Sequence, residues 1–265
     1  RFHNGEFFLE DKLRALGETD MIHLTPTFGW LWNTVFTPSP GLSEYISKTK
    51  QAMGTTAGNY VAVHCRIHYP LLLRDSLGAT YRDVIKTPEP GLPDHAGIIL
   101  EGAGKEFGVG VGLHALQCAR TLLQDDKEPL YFFSDANNLV EYLTRNVRDT
   151  PVNQSDPIDV KAQPILEKVN VVARPDISDR NYHIDAVQIA EPRLYYALFA
   201  DLYLAMEARC VVFGYGGFGR FAQQLTGPNK CYLQHQLHIH NPFFGHSLKM
   251  RDNVCKESSY AHLAE

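Results

Sequence analysis

Several short runs along the chain are apolar at consecutive positions rather than at alternating ones. Residues 60–65 (Tyr-Val-Ala-Val-His-Cys) and residues 130–133 (Leu-Tyr-Phe-Phe) are the clearest, and residues 169–173 and 210–213 have the same character. Such runs are typical of strands that are buried on both faces inside a parallel sheet. The pattern therefore predicts a parallel sheet, and polar residues follow the first two runs directly.

Apolar residues at helical spacing lie between these runs. In the longest such segment, Leu194, Leu198, Leu202 and Met206 form the predicted buried stripe. Alternating strands and helices predict an α/β fold, a Rossmann-like parallel sheet with helices on both faces. The predicted helices cover residues 42–53, 112–123, 136–147, 191–208 and 220–225.

Two regions fall outside this alternation. Residues 67–111 are rich in Gly and Pro and show little periodicity, so we expect an irregular insertion there. Residues 1–59 are too short for an independent α/β domain and are assigned as an N-terminal leader. The Rossmann-like domain is then expected over residues 60–265.

Charge and composition exclude several classes of protein. The 265 residues include 30 acidic and 25 basic side chains, a formal net charge of −5, so the broad basic surface of a nucleic-acid-binding protein is missing. The most apolar long stretch is interrupted by charged residues, which argues against a membrane span within this chain. An anionic ligand must therefore be bound by positive charge concentrated at one place.

His64 and Arg66 are the first candidates for binding such a ligand. Being two residues apart at the end of a predicted strand, they point to the same face of the sheet. Ligands of open α/β sheets bind outside the carboxyl ends of the strands, and arginine holds phosphate through paired hydrogen bonds. Asp135 follows the next strand and is placed to contact a ribose or a base. The alternative is a structural role, with Arg66 paired to a carboxylate and Asp135 capping a helix.

A glycine-rich stretch follows the last predicted buried strand. Gly214, Gly216 and Gly219 match the spacing of a dinucleotide-binding loop, in which backbone amides approach a phosphate. A nicotinamide or flavin site should also have an acidic ribose partner about 20 residues later, yet residues 220–251 contain neither Asp nor Glu. We therefore favour a phosphate-facing loop, and the alternative is a glycine turn that allows close helix packing.

Metal and thiol chemistry have little support in the sequence. The five cysteines contain no Cys-x-x-Cys pair and allow at most two disulfides. His235, His238, His240 and His246 lack the spacing and the partner ligands of a zinc site, so we predict no metal and no cofactor. Residues 153–155 (Asn-Gln-Ser) form a glycosylation acceptor if the chain enters a secretory lumen.

Three segments, in chain order, resemble motifs of the GDP-fucose-dependent fucosyltransferases, the group that includes α1,6-fucosyltransferases and protein O-fucosyltransferases. Residues 60–66 resemble that group's His-x-Arg strand, and residues 131–135 resemble its strand that ends in a Ser-Asp or Thr-Asp pair. Residues 201–222 resemble its third motif, where a helix and a strand lead into a loop with a central Phe. The resemblance covers roughly residues 60–225.

The resemblance implies the nucleotide-binding half of a GT-B glycosyltransferase. Its activity would be the metal-independent, inverting transfer of fucose from GDP-fucose to a glycan or protein acceptor in the Golgi or ER lumen. In that activity Arg66 would be the catalytic residue, neutralising the departing diphosphate. His64 and Asp135 would contact the guanosine.

The same resemblance assigns the glycine-rich stretch to the donor site. Phe218 and the backbone amides of Gly217 and Gly219 would close over the nucleotide. The N-terminal leader, residues 1–59, would be a remnant of the acceptor-binding domain that precedes the His-x-Arg strand in this group.

A catalytically inactive protein is the alternative function. The glycine-rich stretch offers no hydroxyl groups beside Phe218, and residues 67–70 lack the acid that often follows the family's arginine. The leader is also too short for a complete acceptor domain. On this interpretation the chain is a fucosyltransferase-like structural or binding subunit whose partners are other protein chains of an assembly.

Overall fold

The computed structural model describes residues 32–33, 35–66, 102–144, 153–175, 192–214, 217–226, 231–235 and 255–257. The strands among them are β1 Val61–Cys65, β2 Pro129–Ser134, β3 Asn170–Val172, β4 Cys210–Phe213, β5 Cys231–Gln234 and β6 Lys256–Glu257. They form one sheet in the order β3-β2-β1-β4-β5-β6, in which β1 to β5 are parallel and the short edge strand β6 is antiparallel. The prediction of a Rossmann-like parallel sheet is confirmed at this level.

Helices cover both faces of the sheet, as predicted. They are α1 Pro40–Met53, α2 Gly102–Arg120, α3 Asn137–Thr144, α4 Pro157–Leu166, α5 Tyr196–Glu207 and α6 Gly217–Thr226. Helices α2, α3 and α4 pack on one face, and α1, α5 and α6 pack on the other. A 3-10 turn, Pro192–Tyr195, leads into α5.

Strand β1 lies at the centre of the sheet and is buried on both faces. Val61 and Val63 contribute to the core under α2, whereas Tyr60 and Ala62 contribute to the core under α5, and all four are fully buried. The Tyr60 hydroxyl satisfies its hydrogen bond by donating to the carbonyl oxygen of Leu204, at 2.6 Å. This two-sided burial explains why the sequence of β1 is apolar at consecutive positions.

Helix α1 shows that part of the predicted leader packs on the same core as the sheet. Its ends follow local rules, since the Ser39 hydroxyl accepts a hydrogen bond from the Leu42 amide and Gly54 ends the helix at φ 64°. Its buried face contacts α5, and Lys50 forms an ion pair with Glu207 at 2.8 Å. Helix α1 therefore packs with α5 on one face of the sheet.

Two helices differ from the sequence-based expectation. Helix α2 begins at Gly102, so the last ten residues of the predicted irregular insertion, 102–111, are helical, whereas residues 67–101 lie outside the described residues. Helix α4 was not predicted at all. It begins with a recognisable signal, because the Asp156 carboxylate accepts a hydrogen bond from the Ile158 amide at 2.8 Å and Pro157 occupies the first turn.

Helix α5 buries a different face from the predicted stripe. Leu202 is buried as expected, but Leu198 and Met206 remain partly exposed, and the side chain of Leu194 lies outside the described residues. The buried face carries small residues, which let the helix lie close to the sheet. It consists of Ala197, Ala200, Asp201, Leu202, Leu204 and Ala205.

The buried Asp201 explains part of this difference. Its carboxylate forms an ion pair with Arg174 at 3.1 Å and accepts a hydrogen bond from the Tyr131 hydroxyl at 2.5 Å. Arg174 in turn lies 3.5 Å from the Tyr45 hydroxyl. A buried carboxylate is tolerated only when it is paired in this way, so Asp201 acts as a structural residue of the sheet–helix interface.

A second charged network lies at the amino edge of the sheet, where the parallel strands begin. Arg209, directly before β4, forms an ion pair with the buried Glu128, directly before β2, at 2.7 Å. A further hydrogen bond of 2.7 Å joins Arg209 to the carbonyl oxygen of Leu122. These groups satisfy one another, so Arg209 and Glu128 form a structural ion pair at the amino edge.

Four of the five cysteines are paired in the structure. The pairs are Cys118–Cys255, which joins α2 to the residue before β6, and Cys210–Cys231, which joins β4 to β5. Cys65 is a buried free thiol. Two disulfides match the maximum that the sequence allowed.

Among the helices of the described residues, none combines the length and the apolar character that crossing a bilayer requires.

Candidate functional site

The candidate site lies where the order of strands in the sheet reverses. From β1 the chain builds outwards through β2 and β3, then returns to place β4 on the other side of β1. In open α/β sheets, the crevice beside the carboxyl ends of the two strands at this reversal is the usual ligand-binding position. Here those strands are β1 and β4, and the Gly214 amide donates a hydrogen bond to the carbonyl oxygen of His64 at 3.2 Å.

The register of the strands brings the sequence-predicted residues together. Cys65 is the last residue of β1 and is aligned with Ser134, the last residue of β2. Arg66 and Asp135 are therefore the next residues along two adjacent strands, whose axes lie about 4.8 Å apart. His64, Arg66 and Asp135 thus share one edge of the sheet, as the sequence predicted, and their roles remain predictions.

His64 is buried and uncharged at neutral pH. Its burial lowers the pKa to about 4, although the negative charge of Asp135 raises it and the positive charge of Arg66 lowers it further. The imidazole is only 5% exposed, and its Nδ1 has no hydrogen-bond partner within the described part of the chain. A buried polar atom without a partner is costly, so Nδ1 marks a position where a ligand group would be stabilised.

An aromatic cluster surrounds this histidine. The His64 ring lies 5.1 Å from the ring of Phe133 and 5.4 Å from that of Phe218, and the two phenylalanine rings are 5.9 Å apart. Phe218 was predicted as a site residue, and the structure places it against His64. Phe133 was missed, although its position next to the end of a buried strand was visible in the sequence.

The end of β2 provides further polar groups. The Ser134 hydroxyl donates to the Asp135 carboxylate at 3.3 Å and accepts a hydrogen bond from the Ala136 amide at 3.1 Å. Asn137, the first residue of α3, is buried, and its Oδ1 has no hydrogen-bond partner among the described residues. Asn137 was not predicted as a site residue, and it offers an acceptor close to the same edge.

The helix that follows β4 begins at Gly217, three residues before the predicted start at residue 220. Residues 215–216 lie outside the described residues, and Gly217, Phe218 and Gly219 form the first turn of α6 instead of a loop. Amides in a first turn lack partners within the helix, so this position still presents donors to an anion.

Close packing accounts for Gly219. A Cβ atom added there would meet the side chain of Phe213, with the Phe213 Cγ only 3.0 Å away. Only glycine lets the first turn of α6 approach β4 this closely. The alternative interpretation of this glycine, tight helix packing, is therefore supported.

On the opposite face of β1, Cys65 and His235 form a neutral contact. The two side chains lie 3.7 Å apart, and His235 Nε2 donates to the carbonyl oxygen of His64 at 3.0 Å. Burial raises the pKa of the Cys65 thiol well above its usual value and lowers the pKa of His235 to about 3. Cys65 is therefore held as a thiol, without the thiolate needed for nucleophilic chemistry.

One group in the described residues has the composition of a metal site. His114, Cys118 and Cys255 place their ligand atoms within 4.8 Å of one another. However, Cys118 and Cys255 are joined as a disulfide, which removes both thiolate ligands. Of the four histidines weighed as ligands in the sequence, His238, His240 and His246 lie outside the described residues.

Comparison of the chain with models of known protein families gave no match, and comparison with curated proteins gave none either.

Burial of His64 predicts that the protein loses stability in mild acid. An unfolded histidine titrates near 6.5, so the unfolded state binds more protons than the folded state as the pH falls from about 6.5 to about 4. At the acid end of this pH range, His64 should lower the free energy of unfolding by roughly 3 kcal/mol. Across this pH range, the free energy of unfolding measured in urea should fall less for His64→Gln than for the wild type. An equal fall in both proteins would contradict the burial of a neutral His64.

The contact between Gly219 and Phe213 predicts a stability defect for Gly219→Ala. Overpacking at this contact should cost about 1–3 kcal/mol in the free energy of unfolding. Gly110→Ala on α2 is the matched control, because a Cβ atom added at Gly110 would meet nothing within 4 Å. This substitution should raise the free energy of unfolding by about 0.4–1 kcal/mol. Denaturant titration measures both variants, and unchanged stability of Gly219→Ala would show that packing does not require this glycine.

Proposed function

We propose that the chain is a fucosyltransferase-like protein that binds GDP-fucose at the carboxyl edge of β1, β2 and β4. The fold supports this proposal, since nucleotide ligands occupy this position in open α/β sheets. The three motifs that resemble GDP-fucose-dependent fucosyltransferases include the ends of β1 and β2 and the start of α6. The same proposal includes the fold that the resemblance implies, the nucleotide-binding half of a GT-B glycosyltransferase.

The observation that carries the proposal is the state of His64. A neutral imidazole, whose buried Nδ1 has no hydrogen-bond partner among the described residues, lies at the strand reversal beside Arg66 and Asp135. A neutral histidine offers one donor and one acceptor, and Asp135 offers acceptors only. Together they are suited to the edge of a guanine base or to ribose hydroxyls, whose donors and acceptors lie side by side.

In the proposed complex, Arg66 binds the diphosphate. Its guanidinium is partly buried, which lowers the effective dielectric around it, and two opposite charges about 4 Å apart then attract by roughly 4 kcal/mol. The first-turn amides of α6, from Gly217 to Gly219, add donors and the favourable end of the helix dipole. The chain has a formal net charge of −5, so an anionic donor must be bound by groups concentrated at this edge, Arg66 and the first-turn amides of α6.

The proposed reaction is an inverting transfer. A hydroxyl of the glycan or protein acceptor attacks C1 of fucose, the bond from C1 to the diphosphate breaks, and the hydroxyl proton passes to a general base. Positive charge develops on the sugar and negative charge on the leaving diphosphate. Arg66 stabilises the latter because its charge is already oriented before the bond breaks.

Disulfides suit the compartment that this function requires. Transfer from GDP-fucose in the ER or Golgi lumen takes place in an oxidising environment, where disulfides persist. Cys118–Cys255 and Cys210–Cys231 pair four cysteines that are far apart in sequence. They support a lumenal location without depending on the identity of the ligand.

One observation favours the alternative, an inactive binding or structural subunit. Gly219 is explained by packing against Phe213, so its presence does not require a phosphate. A subunit of this kind keeps the fold and the crevice but transfers no sugar. Binding of GDP without turnover of any GDP-sugar would establish this alternative.

Substitution of the arginine tests the proposed site. Arg66→Ala should weaken GDP binding at least about 30-fold, because a charge-assisted contact in a partly buried crevice is lost. Arg66→Lys keeps the charge but loses the paired hydrogen bonds of the guanidinium. Its affinity for GDP should therefore lie between those of the wild type and Arg66→Ala. Isothermal titration calorimetry measures all three proteins.

Arg120→Ala is the matched control, since Arg120 is an exposed arginine at the end of α2. It should bind GDP as the wild type does. Equal GDP affinity of Arg66→Ala and the wild type would defeat the assignment of the donor site.

A further inference from the structure

Asn153 lies in an exposed turn directly before α4. Residues 153–155 are all exposed, and the Asn153 side-chain oxygen accepts a hydrogen bond from the Ser155 amide at 3.1 Å. The turn closes with a second bond, from the Asp156 amide to the main-chain oxygen of Asn153, at 2.9 Å. Asp156 then caps α4.

In this geometry the oxygen and the nitrogen of the Asn153 carboxamide have different environments. The oxygen is held against the backbone in an Asx turn, and the Nδ2 nitrogen has no partner among the described residues. The exposed Ser155 supplies the hydroxyl two residues later that a glycosylation acceptor needs. Because residues 153–155 are exposed, a bulky glycan attached there stays outside the core formed by the described residues.

The chain contains no other Asn-x-Ser or Asn-x-Thr triplet. The two disulfides give independent support for an oxidising, lumenal environment, which is where the modification takes place. Sequence and structure therefore single out one asparagine.

We propose that Asn153 is an N-glycosylation site. A bond forms between Asn153 Nδ2 and C1 of an oligosaccharide that is carried on a lipid diphosphate. The bond from C1 to the lipid diphosphate breaks, the lipid diphosphate leaves, and Nδ2 gives up one proton to a base of the transferring enzyme. This inference does not depend on what the crevice binds.

The test uses the complete chain fused to a cleavable secretion signal and made in eukaryotic microsomes, where protease protection identifies translocated molecules. The translocated wild type should carry one N-glycan, which peptide N-glycosidase removes while converting Asn153 to Asp. Asn153→Gln should lose the glycan completely. Ser155→Thr preserves the acceptor triplet and should keep the glycan.

A positive control comes from a second turn of the same kind. The exposed Asp125 accepts hydrogen bonds from the amides of Lys127, at 2.7 Å, and Glu128, at 2.9 Å. The double substitution Asp125→Asn with Lys127→Thr creates an acceptor triplet in that turn. The doubly substituted chain should carry two glycans.

Three results would overturn the proposal. They are a glycan at residue 125 of the control without one at Asn153, a glycan that persists in Asn153→Gln, and translocated protein that carries no glycan in any variant. Each result is read from the mass of the intact protein before and after the glycosidase.

Discussion

The burial of β1 on both faces is the constraint on which the rest of the structure depends. Because β1 pairs in parallel with both β2 and β4, its carboxyl end lies next to theirs, and the polar residues that follow the buried strands meet at one edge. The same burial keeps His64 uncharged, so the charged side chains beside it at this edge are Arg66 and Asp135. Fold, electrostatics and candidate site therefore share one physical origin.

The strands were predictable because two-sided burial is recorded directly in the sequence as consecutive apolar residues. The helices were harder to predict than the strands. Glycines lower helix propensity, so the start of α2 at Gly102 was hidden within a region that looked irregular. Helix α4 carried a start signal at Asp156 and Pro157, but its interior Pro164 obscured the periodicity. The buried face of α5 could not be predicted because that helix is apolar nearly all round, and Asp201 is buried only through a partner distant in sequence.

Part of the candidate site follows from the sequence. His64, Arg66 and Asp135 were predictable from their positions at strand ends, since parallel strands place those ends together. The close approach of Gly219 to Phe213 depends on the tertiary distance between α6 and β4, which no local pattern encodes. That His64 Nδ1 and Asn137 Oδ1 have no hydrogen-bond partner within the described ranges likewise depends on tertiary contacts, which the sequence does not show.

An experimental structure of the protein with GDP tests the central claim most directly. The account predicts the nucleotide at the carboxyl edge of β1, with diphosphate oxygens about 2.7–3.2 Å from the guanidinium of Arg66 and the guanosine beside His64 and Asp135. GDP bound at another edge of the sheet, or a crevice closed by Phe218 with Arg66 directed away from it, would contradict the account.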